Sequence, residues 1–528
     1  MTAESSFKLT YATMFNPPEE LHTRFNEALV KVKAEMGKEY PLLIGGEERF
    51  CKEKFDDRTP MDAEQVLGVF QKGTAKDGQD ALAAARKAFP AWSRTTWQDR
   101  VALVRKAADL IDERLFVMSA AMTFEVGKNR MESLGDVAES AELMRHACQM
   151  MEEHDGFVTP MLPDPLPGFV SRNTSVMRPY GVWLVISPFN FPTALTGGPV
   201  GAALVAGNTV VIKPSSDTPL LPYLFARCLL DAGFPDGVVN FVTGPGRTIG
   251  QALIDSPEVD GVTFTGSYPV GMGIYRSFAE YKYVRPLIME LGGKNCAIVS
   301  RNADIETAAL GIVRSAFGLQ GQKCSACSRV MVEAPVYDAL VERVVALTEK
   351  LSIGDPTDRS VYLGPVINKK SYQEYQEFVE ELRRDGTILT GGKVWTEGEL
   401  SKGYFCAPTL AADLPFEHRL WQQEMFLPIT TIGKVESLDE AMAIANSVDY
   451  GLTAGFYGTP EEAEWFFDHI EVGVSYVNRP QGASTGAWPG FQPFGGWKAS
   501  GATGKNAGGP YYLAMYMREQ SRTVIART

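Results

Sequence analysis

Cys324, in Phe317-Gly-Leu-Gln-Gly-Gln-Lys-Cys-Ser-Ala-Cys327, and Glu290, 34 residues earlier in Met-Glu-Leu-Gly-Gly-Lys-Asn295, are the side chains best suited to covalent chemistry on a carbonyl. A thiolate adds to a carbonyl carbon and departs from a thioester, and a carboxylate in a dry site gains enough basicity to draw a proton from water. Together they describe oxidation of an aldehyde through a covalent intermediate, followed by hydrolysis. Asn190, in the turn Ser187-Pro-Phe-Asn-Phe-Pro192, offers an amide donor for the oxyanion of such a step. An asparagine at the end of a strand equally suits a plain turn.

Other spacings carry less. Cys324 and Cys327 form Cys-x-x-Cys, but no second pair stands at zinc-ligand spacing, and His22, His146, His154, His418 and His469 do not cluster with it. No metal is expected, and Cys327 reads as a small buried hydrophobe one turn beyond the nucleophile. Gly482-Ala-Ser-Thr-Gly486 satisfies the hydrolase nucleophile pattern, yet Trp488-Pro-Gly490 stands where the elbow helix would begin, so a loop contacting substrate is expected instead.

The elements that must position these residues show as periodicity. Residues 82–153 carry helical spacing broken near Pro90 and Gly127-Lys128-Asn129, and residues 169–177 alternate as an extended arm after a proline-punctuated stretch. From Val182 the chain alternates strand 182–186, helix 194–205, strand 209–212, helix 220–232 and strand 238–242. That rhythm implies a parallel sheet covered on both faces, which binds ligands beyond its carboxyl ends. A second α/β region spans about 295–478, with helices near 336–351 and 371–385. The apolar tail 510–525 would expose a sticky edge in a monomer, for which strand addition between copies is the simple remedy.

Gly244-Pro-Gly246-Arg-Thr-Ile-Gly250 follows a strand but is one residue longer than the dinucleotide fingerprint, so alone it reads equally as a glycine turn. Phe264-Thr-Gly-Ser267, followed by Gly271, repeats the strand-turn-helix arrangement that meets a pyrophosphate. In order with Ser187-Pro-Phe-Asn-Phe-Pro192 and Ile212-Lys-Pro-Ser215, these motifs and the Glu290 and Cys324 segments resemble the aldehyde dehydrogenase superfamily, from about Tyr40 to the C-terminus.

That resemblance implies an α/β fold with a Rossmann-like cofactor domain at 1–157 and 181–291 and a catalytic domain at 292–480. It also implies an oligomerisation element at 158–180 and 506–528 and a substrate-anchor loop at 481–505. It implies NAD or NADP held by Ile186, Ser187, Phe189, Lys213, Ser215, Ser216, Gly244, Gly246, Phe264, Thr265, Gly266, Ser267, Gly271, Leu291, Glu424 and Phe426. Ser216 stands where many NAD-preferring members carry a glutamate, which leaves NADP use open. Leu427, before Pro428, replaces the usual glycine.

Four segments are similar to the Δ1-pyrroline-5-carboxylate, or L-glutamate γ-semialdehyde, dehydrogenase branch: Gly321-Gln-Lys-Cys-Ser-Ala-Cys-Ser-Arg329, Ser484-Thr-Gly-Ala487, Gln492-Pro-Phe-Gly-Gly496 and Gly127-Lys-Asn-Arg-Met-Glu-Ser133. The branch implies that Ser325, Gly486 and Ala487 grip a substrate carboxylate, that Phe191 and Phe494 line the aliphatic part, and that Glu132 lies near the entrance. Transfer to coenzyme A is disfavoured by Glu290. Another carboxylated or aromatic aldehyde stays open because Trp488 and Phe491 flank the anchor loop. A cofactor-binding protein without activity is disfavoured because nucleophile, base and oxyanion donor are all present.

The remaining bounds agree. At 528 residues two or more domains are expected. A net charge of -13 opposes nucleic acid and anionic lipid as partners. Seven cysteines without a recognisable leader lead to an expectation of a reducing cytosol. Residues 179–212 hold no charged side chain, but Pro188, Pro192 and Pro199 would break a spanning helix.

Overall fold

The computed structural model describes residues 17–482 and 489–527. Among the described residues two seven-stranded sheets carry the site, beside a three-stranded arm, a second three-stranded sheet and a two-stranded one. In the first sheet the strands run in the order Leu287–Glu290, Gly261–Thr265, Val182–Ile186, Thr209–Lys213, Val239–Phe241, Leu42–Ile44 and Glu47–Arg49. The first five are mutually parallel, and the last two add as an antiparallel hairpin. The strands Val182–Ile186 and Thr209–Lys213 form where the apolar runs place them, because strands buried on both faces need continuous hydrophobic side chains, and the helix Leu220–Ala232 follows them.

Strand order reverses direction between Val182–Ile186 and Gly261–Thr265, since the next strands in sequence extend to either side. Crevices open beyond carboxyl ends at such a switch point. The register places Phe264 opposite Ile186, Ile186 opposite Lys213 and Thr265 opposite Glu290, so four motif-bearing strands end together.

The second sheet runs Thr387–Thr390, Thr409–Ala412, Ile429–Val435, Cys327–Glu333, Asn295–Val299, Thr453–Tyr457 and Val474–Val477, parallel except for its first strand. Glu290 closes the last strand of one sheet and Asn295 opens a strand of the other, so a four-residue crossing joins a carboxyl edge to an amino edge. Asn295 pairs with Cys327 in register, which brings the Cys324 loop to that junction.

Met517–Arg527 pairs antiparallel along the whole of Phe169–Pro179 within the same chain, and Val158–Met161 covers the other edge of that strand. The tail therefore satisfies its backbone in cis, and what remains open is its own outer edge. Among the described residues no helix is long and apolar enough to cross a membrane.

Candidate active site

Gly292 and Gly293 bring the parts together. A β-carbon on Gly292 would collide with the Glu424 carboxylate, and one on Gly293 with the Cys324 carbonyl, so only bare backbone lets these two segments close on the crossing. The Gly293 N–H donates to Glu424 Oε1 at 2.8 Å. Asn295 then clamps the thiol loop: its Nδ2 donates to the carbonyls of Cys324, at 2.6 Å, and Ala326, at 2.9 Å, while its Oδ1 accepts from Thr453 N–H at 2.9 Å. Nothing in the sequence around Asn295 marks this clamp, whose partners lie far along the chain.

The loop entering Cys324 is strained. Leu319, Gln320 and Gly321 have φ of 50°, 53° and 66°, a left-handed run that costs energy for the first two. Glu132 holds it, accepting the Leu319 N–H at 2.7 Å from the first turn of the helix Arg130–Glu153, whose start is capped by Asn129. Glu132 thus acts on loop geometry, while its second carboxylate oxygen is buried without a partner. Burial pushes its carboxyl up, and the Lys323 and Lys128 charges pull it down. Cys327 is buried, as a small hydrophobe, and opens the strand Cys327–Glu333.

The half-buried Cys324 thiol lies on the wall of a cavity of about 500 Å³ that runs along the switch-point crevice. Ile186, Ser187, Phe189, Asn190, Lys213, Ser215, Phe264, Thr265, Gly266, Ser267, Leu291, Glu424 and Phe426 share that wall. Phe426, at φ 57°, sets its ring edge-on to Phe189 with centroids 5.7 Å apart. Leu427, in place of the usual glycine, is buried and also lines the wall.

Ser216, Gly244, Gly246, Gly271 and Glu290 stand behind this wall. The Ser216 hydroxyl donates to the Gly244 carbonyl at 3.3 Å and ties two loops. Gly246 opens a π-helical turn, Gly246–Gly250, rather than leading directly into an α-helix. Gly271 lets its helix pack on the Leu291 side chain. Asn190 is buried with its Nδ2 donating to the Gln322 carbonyl at 3.0 Å, so its amide is anchored two residues before the thiol.

Electrostatics join what the lining separates. Burial first, then the Glu424 and Glu290 carboxylates, push the Cys324 thiol up, against backbone hydrogen bonds that favour the thiolate. Burial raises Glu290 to about 8, and one of its oxygens has no partner. Glu424 rises to about 7, while buried Lys294 falls to about 7, each by loss of solvation. Burial also lowers Lys213 to about 8, its ammonium donating to the Pro214 carbonyl at 2.8 Å. Of these groups, Glu424 and Glu290 are the two whose charges act on the thiol.

Of the candidate substrate residues, Ser325 is buried beside the thiol, and Phe494 packs on Leu143 and Ala194, at the start of the helix that Phe191 leads into. Gly486 and Ala487, with Trp488, lie outside the described residues. The Phe491 ring is 89% exposed and offers no wall to an aromatic substrate in this arrangement. Elsewhere His418 gathers Glu381 and Asp385, but its Nδ1 accepts the Leu420 N–H, and Arg419 and Arg384 already balance the two carboxylates.

A parallel sheet with a switch-point crevice, ending on a thiol between two carboxylates, is the layout of a dehydrogenase working through a covalent adduct. The aldehyde dehydrogenase family pattern matches residues 48–522, and the chain belongs to that family. Its relatives include 1-pyrroline-5-carboxylate dehydrogenase of Geobacillus sp. (strain WCH70), 41% identical over 506 residues and 95% of each chain. The solved 1-pyrroline-5-carboxylate dehydrogenase from Thermus with bound NAD superposes at TM-score 0.91 with 35% identity, covering 100% of both chains. Proline utilization A from Bdellovibrio bacteriovorus superposes at TM-score 0.90 with 34% identity over 96% of this chain, which spans about half, 52%, of that protein.

Proposed function

We propose that this enzyme oxidises L-glutamate γ-semialdehyde, the open-chain form of 1-pyrroline-5-carboxylate, to glutamate with NAD or NADP. The observation that carries the reading is the Cys324 thiol on the cavity wall with Glu424 and Glu290 acting on it. The extent of likeness to 1-pyrroline-5-carboxylate dehydrogenases, along 95% of the chain, supports the substrate.

The crevice fits a dinucleotide on its own chemistry. The Ser187 hydroxyl is buried without a partner on the wall, the helix Tyr268–Ala279 begins at Ser267 with its first N–H groups uncapped by a side chain, and Lys213 lines the same space. Lys213, Ser215 and Ser216 would hold the adenosine end, the Gly244–Gly246 and Phe264–Ser267 turns with Gly271 would flank it and the pyrophosphate, and Ile186, Ser187, Phe189, Leu291, Glu424 and Phe426 would seat the nicotinamide half. When bound, this cofactor supplies the hydride acceptor.

The chain's own residues do the rest. Cys324 loses its proton to a neighbouring carboxylate and adds to the aldehyde carbon, giving a thiohemiacetal. The Asn190 amide and the Cys324 N–H stabilise its oxygen. After oxidation leaves a thioester, Glu290 takes a proton from water, the hydroxide attacks, and Cys324 departs with glutamate released. Ser325, Gly486 and Ala487 hold the substrate carboxylate and Phe191 and Phe494 its aliphatic part, while Glu132, near the entrance, holds the loop that leads to the thiol.

We assign 1–157 and 181–291 to cofactor binding, 292–480 to catalysis, 481–505 to substrate anchoring, and 158–180 with 506–528 to assembly of a homo-oligomer in the cytosol. Steady-state kinetics with glutamate γ-semialdehyde, succinic semialdehyde and benzaldehyde, each with NAD and NADP, tests the reading. A preference for the first aldehyde is expected; equal turnover of benzaldehyde would overturn the substrate.

A further inference from the structure

Lys128 and Asp136 form an ion pair with no exposed side-chain surface, Nζ to Oδ2 2.7 Å. Lys128 lies between Gly127, which ends the helix Leu115–Val126 at φ 80°, and Asn129, which caps the helix Arg130–Glu153. A fully buried pair gains little stability over apolar side chains of similar volume, so its presence calls for a geometric reason. Both partners touch the segment that carries Asn190 and Phe191. Asp136 Oδ1 accepts the Ala194 N–H at 2.7 Å, at the start of the helix Ala194–Ala206, whose preceding Thr193 side chain makes no cap. The Lys128 ammonium sits over the Phe191 ring, 3.8 Å from its centre. Phe191 in turn accepts the Leu195 N–H through its carbonyl, and the adjacent Asn190 donates to the Gln322 carbonyl.

We propose that Lys128, held by Asp136, is a positioning and specificity residue: it fixes the plane of the Phe191 ring against which the aliphatic part of the substrate lies. The inference rests on the substrate reading above. Asp136 orients the ammonium with one oxygen and pins the helix start with the other, so ring, cation and turn move as one body. A cation without a carboxylate partner would draw water into this space, and a neutral side chain would leave the ring free to tilt.

The test is steady-state kinetics of the Lys128→Met/Asp136→Asn double variant, whose amide oxygen still accepts the Ala194 N–H. Lys128→Gln, which keeps a donor toward Asp136, carries the same test should the double variant be insoluble. Each is assayed with L-glutamate γ-semialdehyde and with propanal, alongside thermal unfolding. The ratio of kcat/KM between the two aldehydes is expected to fall about tenfold, mainly through KM for the semialdehyde, as loss of a desolvated cation–ring contact implies. A purely structural pair would lower Tm and leave that ratio within about twofold of wild type, which overturns the inference. A wild-type enzyme with no preference over propanal would instead sink the substrate assignment, and this inference with it.

Discussion

Cys324 rests as a thiol, because burial and two carboxylates oppose its ionisation, so turnover depends on those carboxylates being free to take protons. With Glu290 raised to about 8, only about one-tenth of it is ionised at pH 7, and lowering the pH removes the base. The hydrolysis-limited rate is therefore expected to rise about tenfold from pH 6 to 7 and to level off above pH 8, as a pH–rate profile will show. Glu290→Gln should keep a single-turnover burst of reduced cofactor and stall afterwards; an undiminished steady-state rate in that variant excludes the assigned role. Cys324→Ala should abolish both phases. Asn295→Ala removes the donor to two carbonyls of the thiol loop, and a displacement there is expected to cost about ten- to hundredfold in kcat, with slower alkylation of Cys324 by iodoacetamide. Cys324, Glu290 and Asn190 were legible as residue types; Asn295 was not, because an amide that clamps carbonyls 29 and 31 residues away has no signature along the chain.

Helices here are capped by two routes, and only one is written locally. Thr74 with Asp77, and Thr459 with Glu462, close capping boxes three residues apart. The helix Leu220–Ala232 has no such cap; Glu125, 95 residues earlier in sequence, accepts its Leu220 N–H at 2.5 Å and Leu221 N–H at 3.2 Å. Glu125 shares the core with Asp57, and burial pushes both carboxyls up, Glu125 to about 8, with a hydrogen bond between them that requires a proton on one. Their folded-state affinity for that proton exceeds the unfolded one. The stability they contribute is thus full below the ordinary carboxylate range near 4 and is lost as pH rises through about 8. Tm is expected to fall from about pH 5 to about pH 8, and Asp57→Asn, which supplies an amide donor without a titrating proton, to flatten that fall in calorimetry. The strands were legible from apolar runs because burial on both faces leaves that mark. The shorter observed Val239–Phe241 follows from Val238 turning back to the Pro235 carbonyl.

At the scale of the molecule, the arm is a sheet without a core. Val158, Met161, Phe169, Val170, Val524 and Ile525 are 43–60% exposed along it, while the Met517–Arg527 strand leaves one backbone edge open. Apolar surface beside an unpaired edge is what association covers. Replacing Val524 and Ile525 by Lys is expected to lower the mass measured by analytical ultracentrifugation while leaving the fold intact; an unchanged mass would remove the arm from assembly. Sequence patterning exposed the arm and tail as extended segments, but their pairing with one another, 344 residues apart at Ser175 and Glu519, belongs to the folded chain.

The sequence by itself determined the chemistry on offer and the alternation of strand, turn and helix, because reactive groups, turn formers and apolar periodicity act on neighbours along the chain. The tertiary structure decided which carboxylates confront the thiol, which distant side chains cap the helices, and which edge the tail covers. Desolvation and Coulomb forces act through space, so Gly292 and Gly293 became meaningful only once Glu424 and Cys324 were folded against them.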